Sequence, residues 1–388
     1  MSTPQLSLSL NRKARTMITF GSVGSAPANS RHKLLLGLAG VAVLTVVFVL
    51  GLWWAKWAPY AQKAGHLSIT RTWSGGSMFA KSGRPGAAPT LSGTWRFTAD
   101  YLREVWKGFA VALVIAAAFD ALVPRAWLLS LINRRSRVGQ AIAGGTAALP
   151  SLMCTCCASP LAVGLRKRGA GTAATLAYWL GNPLLNPAVL VFLFLVAPWQ
   201  FGVVRIIVGA AVVVGGSALV ARLLTPAEAV APGQATAALP PELGSPQPPD
   251  PVSFSQFPLR FTRSLLQLAA VLIPLYFAAV LVLGYFSGWL SDFSGLDARL
   301  GIAAVLVCAV IGALLVIPTG GEIPVILALS AAGVGAGTAG ALLVTLPALS
   351  LPSMLMVGRA LSWRVTAAMA GVVVLAGLGA ATLLWALL

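Results

Sequence analysis

The segment CTCCASPLAVGLRKRGAGTAATLAYWLGNPLLNP, Cys154–Pro187, decides how this chain must fold. It joins three closely spaced thiols to a short apolar run, a cluster of three cations, and a second apolar run that two Asn-Pro pairs interrupt. The rest of the chain explains this setting, because 58% of its 388 residues are hydrophobic, 9% are charged and the mean hydropathy is +0.86. These values exclude a soluble globular domain and predict a polytopic membrane protein.

Seven apolar runs are long enough to cross a bilayer, since a spanning helix needs about 20 predominantly apolar residues. They are Leu34–Ala55, Leu102–Leu122, Gly171–Ala197, Gly202–Leu223, Ser264–Ser287, Thr338–Val357 and Val365–Leu388. The first run is longer than a signal-peptide core and lacks a small-residue cleavage site, so we expect it to remain as a helix. The sequence therefore predicts an all-α integral membrane protein, located in a bacterial inner membrane, with about seven spanning helices.

The formal net charge of +18 is best explained as a topology signal. The cations lie between apolar runs and form no basic domain with interleaved aromatic residues, which argues against nucleic acid as a partner. The positive-inside rule assigns residues 1–33, 124–137 and 166–168 to the cytoplasm. The loop 56–100 conflicts with this rule, because it carries six cations, and no acid up to Arg96, yet the alternation of spanning helices places it outside the cell. We keep the outside assignment, because long translocated loops follow the positive-inside rule only weakly.

The thiol segment is expected to form a re-entrant hairpin. Both of its flanks are assigned to the cytoplasm, so the intervening residues 138–165 must enter the membrane and return on the same side, with the tip near 150–160. This path carries the thiols to membrane depth. Irregular backbone is tolerated there only where protein buries it or where it lines a wet cavity.

An internal repeat is visible in the sequence, as in many transporters. The segment Arg168–Val191 recurs as Val334–Val357, with the pattern GAGTA in both copies. Each repeat unit is predicted to hold three crossings and one re-entrant hairpin, and an odd number of crossings makes the two halves face opposite ways. The predicted organisation is a cytoplasmic segment 1–33, a first spanning helix 34–55, an extracytoplasmic loop 56–100, a first repeat 101–223, a flexible cytoplasmic linker 224–260 and a second repeat 261–388.

The second hairpin tip, IPTGGEIP at 317–324, supplies further candidate site residues. Inverted repeats bring their tips together near the bilayer midplane, where transporters usually bind substrate. Glu322, the one acid of that hairpin, is a candidate for ion coupling, and Thr319 is a candidate for substrate binding. Asn182 and Asn186 add amides at similar depth. The alternatives are that Glu322 only ties down the loop and that the Asn-Pro pairs only kink their helix.

The four cysteines are Cys154, Cys156, Cys157 and Cys308. A zinc site is not indicated, because no second CxxC exists and both histidines lie in remote segments. Clustered thiols instead suit a soft, thiophilic species, and we expect Cys154 and Cys156 to converge on it while Cys157 faces elsewhere. The alternative is that these cysteines are small packing residues, which we expect for Cys308. No metal site and no cofactor are predicted.

The segment from Cys154 to Pro187 resembles the signature of the predicted permease family that includes the trivalent organoarsenical efflux permeases. Members of that family resemble CSCS..PL..GL...G.P.G......SPLLNP, and PTGGEIPVILALSAAGVGAG with LPALSLPSML resembles their partner motif. The resemblance implies an efflux permease for a thiol-reactive metalloid, with a site at Cys154, Cys156, Asn182, Asn186 and Glu322. This chain differs from the pattern by Cys157 and Gly181, which stand where the pattern has Ser.

A secondary transporter, not an enzyme, is the favoured function class. The repeats, broken helices and polar tips support it, and the chain has no Walker A pattern that would make ATP its own energy source. Its expected partners are a small-molecule or metalloid substrate and the lipid bilayer, and a homo-oligomer or a separate ATPase is compatible with the sequence. The alternatives are a membrane thiol-redox enzyme using Cys154, Cys156 and Cys157, and a permease for a non-thiophilic solute.

Overall fold

The computed structural model of the chain describes residues 40, 42–73, 86, 88–122, 130–225 and 257–388. Within those ranges the chain forms helices and no β-strand, which confirms the all-α prediction. The predicted segment 1–33 and most of the linker 224–260 lie outside the described residues. The helices are α1 (Ala42–Thr70), α2 (Leu91–Leu122), α3 (Arg137–Ala148), α4 (Thr155–Lys167), α5 (Thr172–Leu184), α6 (Pro187–Val196), α7 (Trp199–Leu224), α8 (Phe257–Leu290), α9 (Phe293–Leu300), α10 (Ile302–Leu314), α11 (Glu322–Ala331), α12 (Ala336–Ala348), α13 (Leu351–Ala360) and α14 (Trp363–Leu387).

Six helical segments of the described chain are long and apolar enough to cross a membrane, or seven if the bent pair α12–α13 counts as one span. The six are α1, α2, the segment Thr172–Val196 that contains α5 and α6, α7, α8 and α14. Helices α12 and α13 meet at an angle of 49°. Each of these segments overlaps one of the seven predicted apolar runs.

The predicted loop 56–100 is helical at both ends, which corrects the sequence-based boundaries. Helix α1 continues through a π-helical turn at Trp53–Trp57 to Thr70, and α2 already begins at Leu91. Hydropathy fails here because the apolar run stops at Ala55, whereas helix formation needs only residues that tolerate helical backbone angles and one face that packs. The extra turns carry Lys56 into the protein interior.

Two pairs of consecutive short helices occupy the segments where the hairpins are predicted. Helices α3, α4, α10 and α11 have 12, 13, 13 and 10 residues, so each is about 15–20 Å long and falls short of the roughly 30 Å hydrocarbon core. The first hairpin turns through a 3₁₀ segment, Leu149–Ser151, and ends its turn at Cys154. The tip predicted near 150–160 is therefore shorter, and Pro160 lies inside α4.

The order of elements repeats in the two halves of the chain. A long helix, a hairpin segment of two short helices, a span that a break divides into two helices (called a bent span below) and a second long helix occur as α2 to α7 and again as α8 to α14, with α9 inserted in the second set. The first arm of each hairpin packs on the first part of the bent span through a glycine. Gly144 of α3 faces the backbone of Ala174, and Gly312 of α10 faces Thr345, at positions where a Cβ would collide.

Candidate functional site

The two hairpin tips and the two bent spans meet at one small cavity of about 10 Å³, roughly the space of a single water molecule. Three of the predicted site residues, Cys154, Thr319 and Glu322, line it. The remaining lining residues are Pro183, Ile317, Pro318, Gly320 and Pro347. Each half of the chain thus contributes one hairpin tip and one proline at the break of its bent span.

Cys154 contacts both of the other clustered thiols: its side chain interacts with Cys156, as the spacing predicts, and also with Cys157. Cys154 Sγ lies 3.3 Å from Cys157 Sγ, whereas Cys156 Sγ lies 3.1 Å from Ser350 Oγ and 3.7 Å from the Tyr101 hydroxyl. The expectation that Cys157 faces away from Cys154 was therefore wrong. The reason is that α4 begins at Thr155, so residues 154 and 157 stand one helical turn apart on the same face.

All four cysteines are buried free thiols, and Cys308 lies in α10 without lining the cavity. Among the residues that the structure describes, no three His, Cys, Asp or Glu side chains are arranged to hold a metal ion.

Glu322 is not an isolated acid, because Arg205 of α7 pairs with it. Arg205 Nη2 lies 2.7 Å from Glu322 Oε1, and the two side chains are 0% and 1% exposed. Neither carboxylate oxygen receives a hydrogen bond of good geometry, so the contact is one of charge. Glu322 is the first residue of α11, and its carboxylate accepts no hydrogen bond from the amides there, which argues against the alternative of a loop cap.

Arg205 also reaches the break in the first bent span. Its Nη2 donates to the Pro183 carbonyl at 2.7 Å and its Nε donates to the Leu184 carbonyl at 3.2 Å. Proline cannot donate a backbone hydrogen bond, so the bend at 185–187 leaves carbonyls that need other donors. One buried guanidinium therefore connects the second hairpin tip to the bend of the first half. The sequence signal for this role was a cation inside the apolar run 202–223, whose other cation, Arg222, stands at the end of the run.

The two asparagines hold the bent span and the first tip in place. Asn182 Oδ1 accepts from the Ser151 hydroxyl, and its Nδ2 donates to the Tyr178 carbonyl at 2.8 Å. Asn186 Oδ1 caps α6 by accepting from two of its first amides at 3.1 and 3.4 Å, while its Nδ2 is buried without a partner. Neither residue lines the cavity, so these contacts favour the alternative of a structural bend.

Lys56 is the functional candidate that sequence reasoning missed. Its side chain is 7% exposed, and its Nζ donates to Thr319 Oγ1 at 3.3 Å and to the Tyr60 hydroxyl at 3.2 Å. Gly108 of α2 makes room for it, because a Cβ on Gly108 would lie 2.9 Å from Lys56 Cε and 3.3 Å from Cys157 Sγ. The sequence signal was a lysine inside the aromatic segment WWAKW. This segment forms the π-helical turn, and π-helical turns are frequent at functional sites.

Residues 135–384 match the model of a protein family described as "Predicted permease". This match covers well over half of the chain. The chain belongs to this predicted permease family. It is also 35% identical to the UPF0718 protein YraQ of Escherichia coli (strain K12) over 324 residues, which cover 82% of this chain and 87% of that protein. No solved structure matches.

The permease is accordingly a multi-pass protein of the bacterial inner membrane. Its family match starts just before α3 and ends within α14. Both hairpins and both bent spans lie inside the match, whereas α1, with Lys56, and α2, with Gly108, lie before it. Family membership indicates a transporter rather than an enzyme.

Proposed function

We propose that this permease exports a small thiol-reactive solute by a secondary, gradient-driven mechanism, from a site between its two hairpin tips. The observation that carries the proposal is the tip cavity, where Cys154, Thr319 and Glu322 converge from both halves of the chain. Thiols favour soft atoms, and hairpin tips at the junction of two repeats are the usual place of a transporter site.

The two halves are proposed to face opposite ways in the membrane, as their odd numbers of crossings imply. A cavity with room for about one water molecule corresponds to a closed site. Substrate entry then requires the tips to separate from one side at a time. The Arg205–Glu322 contact joins α7 of one half to α11 of the other, so opening must break it or carry it along.

Glu322 is proposed to couple transport to protons. A carboxylate that takes up a proton loses its attraction for Arg205, while Arg205 keeps its two carbonyl partners at the bend. Protonation would therefore release the second hairpin tip from α7 and leave the bend of the first half satisfied. Buried carboxylates of this kind commonly serve as proton relays in transporters.

Transport in everted vesicles tests the proposal. We expect vesicles that contain the permease to accumulate phenylarsine oxide, a trivalent soft probe, and to lose this accumulation when an uncoupler removes the proton gradient. Phenylarsonate, in which the arsenic is pentavalent and oxygen-bound, is the matched hard probe and should not accumulate. Equal uptake by vesicles with and without the permease would contradict the transport of a thiophile, and uptake that ignores the gradient would contradict coupling.

A thiol-redox function is the second candidate, and the Cys154–Cys157 geometry favours it. These residues form a CxxC pair at the start of a helix, with sulfur atoms 3.3 Å apart, and such pairs occur in disulfide oxidoreductases. A redox enzyme would cycle between dithiol and disulfide as it turns over and would need an electron-accepting partner. If Cys154 and Cys157 form no disulfide while the permease transports its substrate, that result would argue against a thiol-redox function.

The proposed orientation predicts where tags are exposed. Tags inserted after Arg137, Arg168 and Gly244 should all report the cytoplasm, because a re-entrant hairpin needs both flanks on one side. A tag inserted between residues 74 and 85 is the matched control and should report the opposite side. Each tag carries a cysteine, and its labelling by a membrane-impermeant thiol reagent in intact cells shows whether that position faces the outside. An extracytoplasmic signal after Arg168 alone would convert the first hairpin into two spans and remove the inverted relationship.

A further inference from the structure

The buried charges around the hairpin tips do not balance. Arg205 and Glu322 compensate each other, but Lys56 donates to two hydroxyl groups, which carry no charge. An ammonium that is buried without a counter-charge costs several kcal/mol. If Lys56 is protonated, the site therefore needs one more negative charge close to it.

A bound anion in the tip cavity is a poor source for that charge. The cavity has room for about one water molecule, and the Glu322 carboxylate lines it and would repel an anion. The Lys56 ammonium also lies near the thiols. Lys56 Nζ and Cys157 Sγ are each 3.3 Å from the position of a Cβ on Gly108, and the charge of Lys56 acts on both Cys157 and Cys154.

The contact between the two sulfur atoms points the same way. At 3.3 Å, Cys154 Sγ and Cys157 Sγ are too far apart for a disulfide of about 2.05 Å. Hydrogen bonds shorten when one partner is ionised, so a close sulfur contact suits a thiol that donates to a thiolate. Cys154 also stands at the N-cap of α4, where the helix dipole favours a negative charge.

We propose that Cys154 and Cys157 form a hydrogen-bonded thiol–thiolate pair whose counter-ion is Lys56. The thiolate is the nucleophilic form of cysteine, so this pair would give the permease a ready soft base at its closed site. Lys56 would act as a positioning residue that α1 delivers from outside the two repeats. The role of this pair in capturing substrate rests on the proposed function. The existence of the charge pair does not, because it is a property of the protein without substrate.

Among the residues that the structure describes, the ionisable groups around the pair leave Lys56 as the available counter-ion. Those that face the pair are Tyr60 of α1, Tyr101 of α2, Cys156 of α4, Tyr276 of α8 and, across the cavity, Glu322 of α11 with Arg205 of α7. Tyrosines are neutral near pH 7. Arg205 already faces Glu322, which leaves the ammonium of Lys56 to balance a thiolate.

Thiolate absorbance in the ultraviolet tests the inference on the purified full-length chain. The spectrum of a Cys154→Ser/Cys157→Ser double variant is subtracted, so that the difference reports the pair alone. We expect about one thiolate per chain at pH 7 in the unmodified protein, and a fall of about tenfold in Lys56→Met, which keeps the side-chain length but removes the charge. Lys56→Arg should retain most of the signal, and Cys308→Ser should leave it unchanged.

Gly108→Ala provides a second variant that keeps every charge and thiol. Its new methyl group would stand between Lys56 Cε and Cys157 Sγ, so we expect it to lower the thiolate signal as well. Absence of a thiolate at pH 7 in the unmodified protein, or equal signals in the unmodified protein and in folded Lys56→Met, would overturn the inference. Size-exclusion profiles identify variants that fail to fold, and if Lys56→Met is among them, the Gly108→Ala signal decides.

Failure of this inference and failure of the proposed function give different results. If the vesicles transport phenylarsine oxide but show no thiolate, the solute is captured by neutral thiols and Lys56 has another task. If the thiolate is present but no thiophile is transported, the charge pair stands and the proposed function falls. Where both hold, transport by Lys56→Met should be slow at pH 7, because its buried thiols have lost the charge that favours the thiolate.

Discussion

Replacing Arg205 with methionine is expected to destabilise the permease by about 3–5 kcal/mol, the usual cost of removing one partner from a buried ion pair. The change leaves Glu322 charged without a partner in a site where it is 1% exposed. It also removes the donors to the carbonyls of Pro183 and Leu184 at the bend. The loss should appear as a lower melting temperature of the detergent-purified protein and as lower abundance in the membrane.

Glu322→Gln is the matched variant, and it separates the stability of the pair from its function. Glu322→Gln also leaves a buried charge, that of Arg205, without a counter-charge. We nevertheless expect a smaller loss of stability, because Arg205 still donates to the two carbonyls at the bend, which Arg205→Met leaves without these donors. In the double variant Arg205→Met/Glu322→Gln, the cost should be less than the sum of the two single costs, since no unpaired carboxylate remains. Additive costs would show that the two side chains do not interact.

Transport by Glu322→Gln tests the coupling role directly. If Glu322 carries the proton, this variant should bind phenylarsine oxide but lose gradient-driven uptake almost completely, at matched abundance in the vesicle membrane. Binding is measured by the quenching of tryptophan fluorescence in the purified protein. Normal uptake by a variant with normal abundance would reduce Glu322 to a structural partner of Arg205.

The spans and the repeat could be predicted because they depend on local properties of the chain. Apolar length decides whether a helix can cross a bilayer, and the prolines that break the bent spans are visible in the sequence. The convergence of Cys154, Thr319 and Glu322 followed from the repeat, since equivalent tips of inverted halves meet. These features need no knowledge of which side chains pack together.

The partners of the site could not be predicted in the same way. The sequence places Lys56 at the start of a loop. Its burial could not be predicted, because it depends on the space that Gly108 leaves and on the hydroxyl of Thr319 in a distant hairpin tip. In the sequence, Arg205 is a cation within an apolar run. Its ion pair could not be predicted, because its partner Glu322 lies in the other half of the chain. The pairing of the thiols depended on where α4 begins, and helix boundaries are uncertain by a few residues in sequence-based assignment.

The cysteine pairing has a large expected effect on function. Cys154→Ser and Cys157→Ser should each lower the resistance of a sensitive host to phenylarsine oxide by about tenfold or more, since losing about 1.4 kcal/mol of binding weakens affinity tenfold. Serine keeps the volume and hydrogen bonding of cysteine but replaces a soft ligand atom with a hard one. Cys308→Ser is the control and should be nearly neutral, because its thiol lies outside the cavity.

A Cys156 variant tests whether substrate is held by Cys154 and Cys157 or by Cys154 and Cys156, as spacing alone suggested. Its sulfur lies against Ser350 Oγ and the Tyr101 hydroxyl, where a serine hydroxyl can make the same contacts. We therefore expect Cys156→Ser to retain most of the resistance, whereas convergence of Cys154 and Cys156 would make it as damaging as Cys154→Ser. Resistance is scored at matched membrane abundance. Full resistance in a Cys154→Ser/Cys157→Ser variant would make the thiols packing residues, and the substrate would then have to be a solute that needs no soft ligand, held by the hydroxyl, amide and charged groups of the tips.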